Sequence, residues 1–325
     1  MEEQEPQQTA NQPEPEGLLY HYTDQKGLLG IIRDKCIWAT HLRYLNDTSE
    51  GRIVFPVVLD ELNSRVNSDA VMLSFGMLPI KRSGKVECED EEILSQGVAM
   101  SSWVTSQDVF VTSFSEKGNL LSQWRAYSGG SGGYSIGFSP GYLRAVGAHF
   151  LLDRPGRFYS DSKTLFGCRY FDEIEEKCLR TDVENLVSSF ITEAASPKQS
   201  VSGVAGIEGF RTPGAIALRH FLSLGTRSAI TKDKAFREEA EWRLAFHLNR
   251  SDIHFGLEFR PGRSMLTPYF KVPLERQDQP IEIKEIIVGP CPHRDEAMNS
   301  VRMLLKRESI QGVEIIDSNI PYRNW

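Results

Sequence analysis

Leu19-Tyr20-His21-Tyr22-Thr23 near the start and Phe236-Arg237-Glu238-Glu239-Ala240-Glu241-Trp242-Arg243-Leu244 over two hundred residues later decide how this chain is read. Each sets polar residues into the apolar pattern of a short strand, where a core alone would take Val or Leu. In a strand, His21 and Thr23 point to one face, two residues apart. A neutral imidazole offers one donor and one acceptor and a hydroxyl offers both, so the pair suits a ribose hydroxyl. The same pair also suits a half-exposed edge strand whose polar face meets water. Glu241 opens the apolar run Trp242 to Leu248. A carboxylate there can accept a hydrogen bond from a sugar hydroxyl and stabilise positive charge on the ring carbon, as oxocarbenium-like transition states require. Glu239 joins it on one face if the strand already runs at 239. The plain alternative is a solvated acidic turn paired with Arg237 or Arg243.

Around these islands the pattern mixes strands and helices. Leu18 to Thr23 reads as a strand and Asp24 as the N-cap of a helix carrying Leu28, Leu29, Ile31 and Ile32. Cys36 to Thr40 is a second strand, followed by the polar loop His41 to Asp47 and a helix from Ser49. Residues 63–106 lose periodicity and read as an insertion or lid. Val109 to Ser115 is a strand, Leu120 to Tyr127 a short helix and Tyr134 to Phe138 a strand. Glu173 to Ala195 and Ala215 to Ser228 are amphipathic helices. The last third is β-rich (Glu241 to Leu248, Ile253 to Phe259, Tyr269 to Leu274, Ile281 to Val288) and closes with a helix over 294–307 and a strand over 313–316. Without steady β-α alternation, this order predicts an α+β fold. No GxGxxG follows the first strand, which argues against a dinucleotide-binding Rossmann fold.

Composition narrows the class. The chain has 325 residues, 40% hydrophobic and 25% charged, as an ordinary globular protein does. Residues 1–17 are Glu-, Gln- and Pro-rich and read as a disordered acidic tail. A single folded domain is expected over 18–325, with insertions near 63–106 and 173–232. The tail holds five of the glutamates behind the net charge of −7. The remainder is nearly neutral, which excludes a broad duplex-binding surface driven by net charge. No run reaches the roughly 20 apolar residues of a membrane span. No signal-peptide layout opens the chain, so the expected location is cytoplasmic. The five cysteines are scattered, with no CxxC, and no metal is expected.

Other candidates lie between the islands. Arg43, Asn46 and Asp47 occupy the polar loop. An Arg there suits a pyrophosphate, while Asn-Asp also serves as a turn or helix cap. Gln123-Trp124-Arg125 brings either an indole and a guanidinium to a site or a Trp that anchors a short helix. The Gly-rich stretch Gly129-Gly130-Ser131-Gly132-Gly133 lacks the context of a P-loop, because a strand and no Lys-Ser/Thr follows.

Leu19 to Thr23, followed by a helix and Ile37-Trp38-Ala39-Thr40, resembles the first motif of ADP-ribosyltransferases of the His-x-Thr/Ser type. That group includes the poly-ADP-ribose polymerases, the diphtheria-toxin class and tRNA 2′-phosphotransferases. From Gly17 on, the chain also resembles an uncharacterised bacterial family of unknown function, through Tyr20 to Thr23, Arg43 to Asp47, Gln123 to Arg125, Glu241 to Arg243 and Ser318 to Trp325. The resemblance implies mixed, mainly antiparallel sheets forming a cleft, with NAD as substrate and no metal. His21, Tyr22, Thr23, Arg43, Asn46, Ser113, Trp124 and Arg125 would bind NAD: His21 at the adenosine ribose, Tyr22 through its backbone. Glu241, with Glu239, would be the catalytic carboxylate. The implied activity transfers ADP-ribose to a nucleic acid or protein in a toxin or anti-phage effector. The alternative is a non-catalytic nucleotide sensor or interaction module. The enzymatic reading requires His21, Thr23 and Glu241 to line one cleft.

Overall fold

Strand β1 (Leu19–Asp24) passes directly into helix α1 (Gln25–Asp34). Asp24 makes the junction: its carboxylate accepts from the Gly27 N–H at 2.7 Å and satisfies one orphan donor of the first turn. Leu28, Ile31 and Ile32 form the buried stripe of α1, and Lys35 ends it in a left-handed conformation at φ 50°. The structure is a computed structural model that describes residues 14–45, 51–64, 108–128, 132–152, 163–195, 213–248, 256–262, 264–275 and 279–322. The expectation for residues 65–106 lies outside these, as do Asn46 and Asp47.

The chain divides into two compact units. The first comprises Met1–Asn46, Val109–Cys168 and Ala235–Trp325. The second comprises Asp47–Asp108 and Arg169–Lys234, and both ranges expected as insertions fall within it.

The first unit adds strands β2 (Cys36–His41), β3 (Asp108–Ser115), β4 (Gly133–Phe138) and β5 (Leu165–Gly167). After the second unit's two strands, β6 (Arg169–Phe171) and β7 (Thr231–Asp233), it continues with β8 (Glu241–Leu248), β9 (Leu257–Pro261), β10 (Leu266–Pro273), β11 (Glu285–Val288) and β12 (Glu314–Asp317). One open sheet runs β12-β11-β4-β1-β3-β2-β10-β9, with β8 paired to β3 and β5 paired to β8. The registered pairings of this sheet are antiparallel except β11 with β12. The fold is therefore mixed α/β with a mainly antiparallel sheet.

Strand alternation gives this sheet two different faces. Leu19, Phe114, Ile136, Phe138, Trp242, Leu244, Phe246 and Ile286 belong to one large core. That core also takes Leu28 and Ile32 of α1, Leu143 and Phe150 of α4 (Pro140–Leu152), and Val301 and Leu305 of α7 (Arg294–Arg307). On the other face, Tyr22 and Ile287 pack with Trp124 of the short helix α3 (Leu121–Tyr127).

The second unit packs α2 (Val54–Ser64), α5 (Glu173–Ala195) and α6 (Pro213–Ile230) around Val54, Val58, Leu62, Leu179, Val183, Val187, Phe190 and Leu224. Its strands β6 and β7 pair in parallel. Glu175 is held between Arg227 and Arg169.

Among the described residues, no helix is long and apolar enough to cross a membrane. The sequence pattern gives no sign of α4, β5, β6 or β7. It placed a strand over 253–259, of which 253–255 lie outside the described residues; the strand seen there is Leu257–Pro261.

Candidate functional site

Strand β3 joins the two islands. It pairs with β1 and with β8, so one strand adjoins both motif-bearing strands. Tyr20 registers on Ser115, the one registered pair between β1 and β3. The Glu116 N–H donates to the Ala240 carbonyl at 3.1 Å, and the Ser115 hydroxyl donates to the Glu239 carbonyl at 2.6 Å. Tyr20, Ser115 and the Ala240–Glu241 step thus form one row across the sheet. Two strand spacings, about 10 Å, separate its ends.

His21 stands one residue past that row, where the registered ladder between β1 and β3 stops. Its Nδ1 lies 3.0 Å from the Ser113 carbonyl. A carbonyl only accepts, so Nδ1 carries the proton and Nε2 is left as an acceptor. The imidazole packs 5.8 Å from the Phe114 ring. Burial lowers its pKa, against the Ser113 carbonyl, which raises it, so the ring is neutral at neutral pH. Of the expected site residues, His21 and Ser113 are brought into direct contact.

Thr23 faces helix α1: a Cβ placed on Gly27 would lie 1.8 Å from its Oγ1. This close approach explains why position 27 is glycine. His21 and Thr23 share strand parity with core residue Leu19, whereas Glu241 has the opposite parity to core residues Trp242, Leu244 and Phe246. The expected single cleft is therefore corrected. His21 and Thr23 leave the helix-covered face of the sheet, and Glu241 leaves the other. Apolar parity in the two islands was the available signal for this.

Glu241 is 6% exposed and Arg243 1%. Oε1 of Glu241 accepts from Arg243 Nε at 2.7 Å and Oε2 from Nη2 at 3.2 Å. Of the two plain readings the pairing with Arg243 is the one seen, though it is buried and not solvated. The Glu241 carbonyl accepts from the Cys168 N–H at 2.8 Å. Immediately before it, Ala240 has φ 42°, a left-handed conformation costly for any residue but Gly. This turn also corrects the expectation for Glu239. The strand begins only at Glu241, and Glu239 ends a 3-10 turn (Lys234–Glu239), so no Glu-x-Glu pair shares a strand face.

Tyr22 and Trp124 build structure on the face opposite His21. The Tyr22 hydroxyl donates to the Lys117 carbonyl at 2.6 Å and accepts from the Leu120 N–H at 2.8 Å. Burial pushes its pKa up to about 12. Its ring meets Trp124 edge-on at 4.8 Å. Trp124 is 1% exposed and donates from Nε1 to Asn119 at 2.9 Å, so its indole has no free face for a nicotinamide. Arg125 lies over the Tyr322 ring at 5.0 Å, and Asn119 donates to the Ser318 carbonyl at 2.7 Å. The Gln123-Trp124-Arg125 motif thus anchors its helix and the segment around Ser318 and Tyr322, as the plain reading of Trp124 has it, and the expectation that the Trp124 indole meets the nucleotide is corrected. Arg43 is exposed on a 3-10 turn (Leu42–Tyr44), where its N–H donates to His41 Nδ1 at 3.1 Å. Ser113 contributes its carbonyl to His21. Sequence reasoning names Arg243 as a partner of Glu241 but at the surface, and it misses Ala240, whose side chain carries no sign of its backbone conformation.

Residues 123–244 match the model of a family described as Protein of unknown function (DUF2971). The match runs from the Gln123-Trp124-Arg125 helix to Leu244, taking in Glu241 and Arg243, and leaves Tyr20 to Thr23 outside it. No curated protein and no solved structure matches the chain.

Proposed function

We propose that this chain is a non-catalytic nucleotide sensor or interaction module of a defence system. The observation that carries the reading is the separation of faces: Glu241 leaves the side of the sheet opposite to His21 and Thr23, and Arg243 already occupies both of its oxygens. A nucleotide held by His21, whose Nε2 would accept from the adenosine ribose, therefore lies away from the Glu241 carboxylate.

A second reading, an ADP-ribosyltransferase that cleaves NAD at the nicotinamide glycosidic bond and passes ADP-ribose to a nucleic acid or protein, as a toxin or anti-phage effector does, is favoured by the row Tyr20–Ser115–Glu241, which brings strands from both ends of the chain side by side. Purified protein incubated with NAD separates the two. Nicotinamide release that Glu241→Gln abolishes, with the fold intact by circular dichroism, supports the transferase. NAD binding by calorimetry without release supports the sensor, and neither binding nor release removes both.

A further inference from the structure

Strand β9 forms one end of the large sheet, and among the described residues it pairs only with β10. Where the two strands turn, the Gly262 N–H donates to the Met265 carbonyl at 2.9 Å. Bonded and unbonded pairs alternate along an antiparallel ladder, so the bonded pairs are Arg260 with Thr267 and Glu258 with Tyr269. Pro268, which has no N–H, falls opposite Phe259 in an unbonded pair. The backbone groups of Leu257, Phe259 and Pro261 therefore point outward from the sheet. An edge of this kind is a template for another strand.

The side chains of β9 fit a second copy of the same strand. When two such strands pair antiparallel about Phe259, each Phe259 faces the other and Glu258 of one stands opposite Arg260 of the other. Arg260 lies over the Trp38 ring at 5.7 Å, its Nε is buried without a hydrogen-bond partner, and no carboxylate pairs with it among the described residues. Glu258 accepts from the Tyr269 hydroxyl at 2.7 Å and from Lys271 at 2.9 Å, and its carboxylate has further lone pairs to offer. Opposite charges directly across two strands attract. On the other face, Phe259 and Leu266 are 59% and 63% exposed beside the core residue Phe270. Pro261 offers only a carbonyl, which in this register receives the Leu257 N–H of the second copy.

We infer that β9 is a homodimer interface, in which two copies of this chain join edge to edge through antiparallel β9 strands centred on Phe259. The contact uses the same edge on both copies and so closes at two. A strand of five residues buries little area, so the dimer forms with rising concentration. This inference is independent of the nucleotide reading.

Sedimentation velocity of the full chain from about 1 to 100 μM tests it, using wild type, Glu258→Arg, Arg260→Glu and an equimolar mixture of the two variants. Wild type is expected to pass from one chain mass to two over this range. Each single variant sets like charges opposite each other and is expected to associate at least tenfold more weakly. The mixture is expected to recover association, because each variant then meets the charge it lacks. A wild type that stays monomeric, or that builds assemblies larger than two, overturns the inference. A dimer left intact in both folded variants also overturns it, as does weakening that the mixture fails to reverse. If a variant does not fold, amide hydrogen exchange in wild type decides. Protection at Leu257 and Phe259 that rises with concentration supports the pairing, and unchanged protection overturns it.

Discussion

Ala240 is the residue at which local cost and global geometry meet. An alanine at φ 42° pays the clash between its Cβ and the carbonyl oxygen, about 1 kcal/mol or more, which glycine does not incur. The conformation is imposed by hydrogen bonds on both sides: the Ala240 N–H to the Arg237 carbonyl at 3.2 Å and the Ala240 carbonyl from Glu116. Replacing Ala240 by Gly removes the clash but adds freedom to the unfolded chain, and at a left-handed position the first effect is the larger. Ala240→Gly is therefore expected to raise unfolding free energy by about 0.5–1 kcal/mol, read as a higher urea midpoint at unchanged slope. Ala240→Val, with a branched Cβ in the same conformation, is expected to lower it. A lower midpoint for the glycine variant would show that the left-handed turn carries no strain.

At the scale of elements, the junction of β1 and α1 can be tested through two side chains with separable effects. Asp24→Ala deletes the 2.7 Å cap to the Gly27 N–H and is expected to cost about 1 kcal/mol. Gly27→Ala would gain helix propensity on an open helix surface. Here its Cβ meets Thr23 Oγ1 at 1.8 Å and lies 3.1 Å from Thr23 Cβ, so the variant is expected to be destabilised, measured by the same urea titration. A stabilised Gly27→Ala would mean that Thr23 swings freely away from the helix. This junction was legible in the sequence because its signals are local: a cap residue, then apolar residues at helical spacing. The same holds for Glu173–Ala195, Glu241–Leu248 and Arg294–Arg307, whose bounds agree with the sequence reading. Helix α4 was not legible. Its buried residues Tyr142, Leu143, Val146 and Phe150 lie at helical spacing, but Ala145, Ala148, Leu151 and Leu152 fill the gaps and blur the stripe. For the site, the residue types of both islands could be read. Their faces are not legible because pairing between β1, β3 and β8 joins residues about a hundred positions apart, whereas the anchoring role of Trp124 is one of the two that its place in a short helix allows.

For the whole molecule, buried histidines make stability depend on pH in a direction that can be worked out. His247 on β8 has its pKa lowered by burial from the ordinary 6.5 to about 4, and burial shifts His21 the same way. The folded state keeps both rings neutral where the unfolded chain already binds protons, so stability falls as pH falls from about 6.5 towards 4. A shift of this size in His247 amounts to roughly 3 kcal/mol once the pH is below both values. His21 adds in the same direction, and both belong to the first unit. Trp38, Trp124, Trp242 and Trp325 lie in that unit and Trp103 in the other, so tryptophan fluorescence reports mainly the first unit's unfolding. Urea titrations at pH 7.5 and 4.5 are expected to show a loss of a few kcal/mol in wild type. His247→Gln, which cannot take up a proton, is expected to be less stable than wild type at pH 7.5 but to lose markedly less on acidification. An equal loss in both proteins would place the acid sensitivity in other groups, because removing the titrating ring would then have left the proton linkage unchanged.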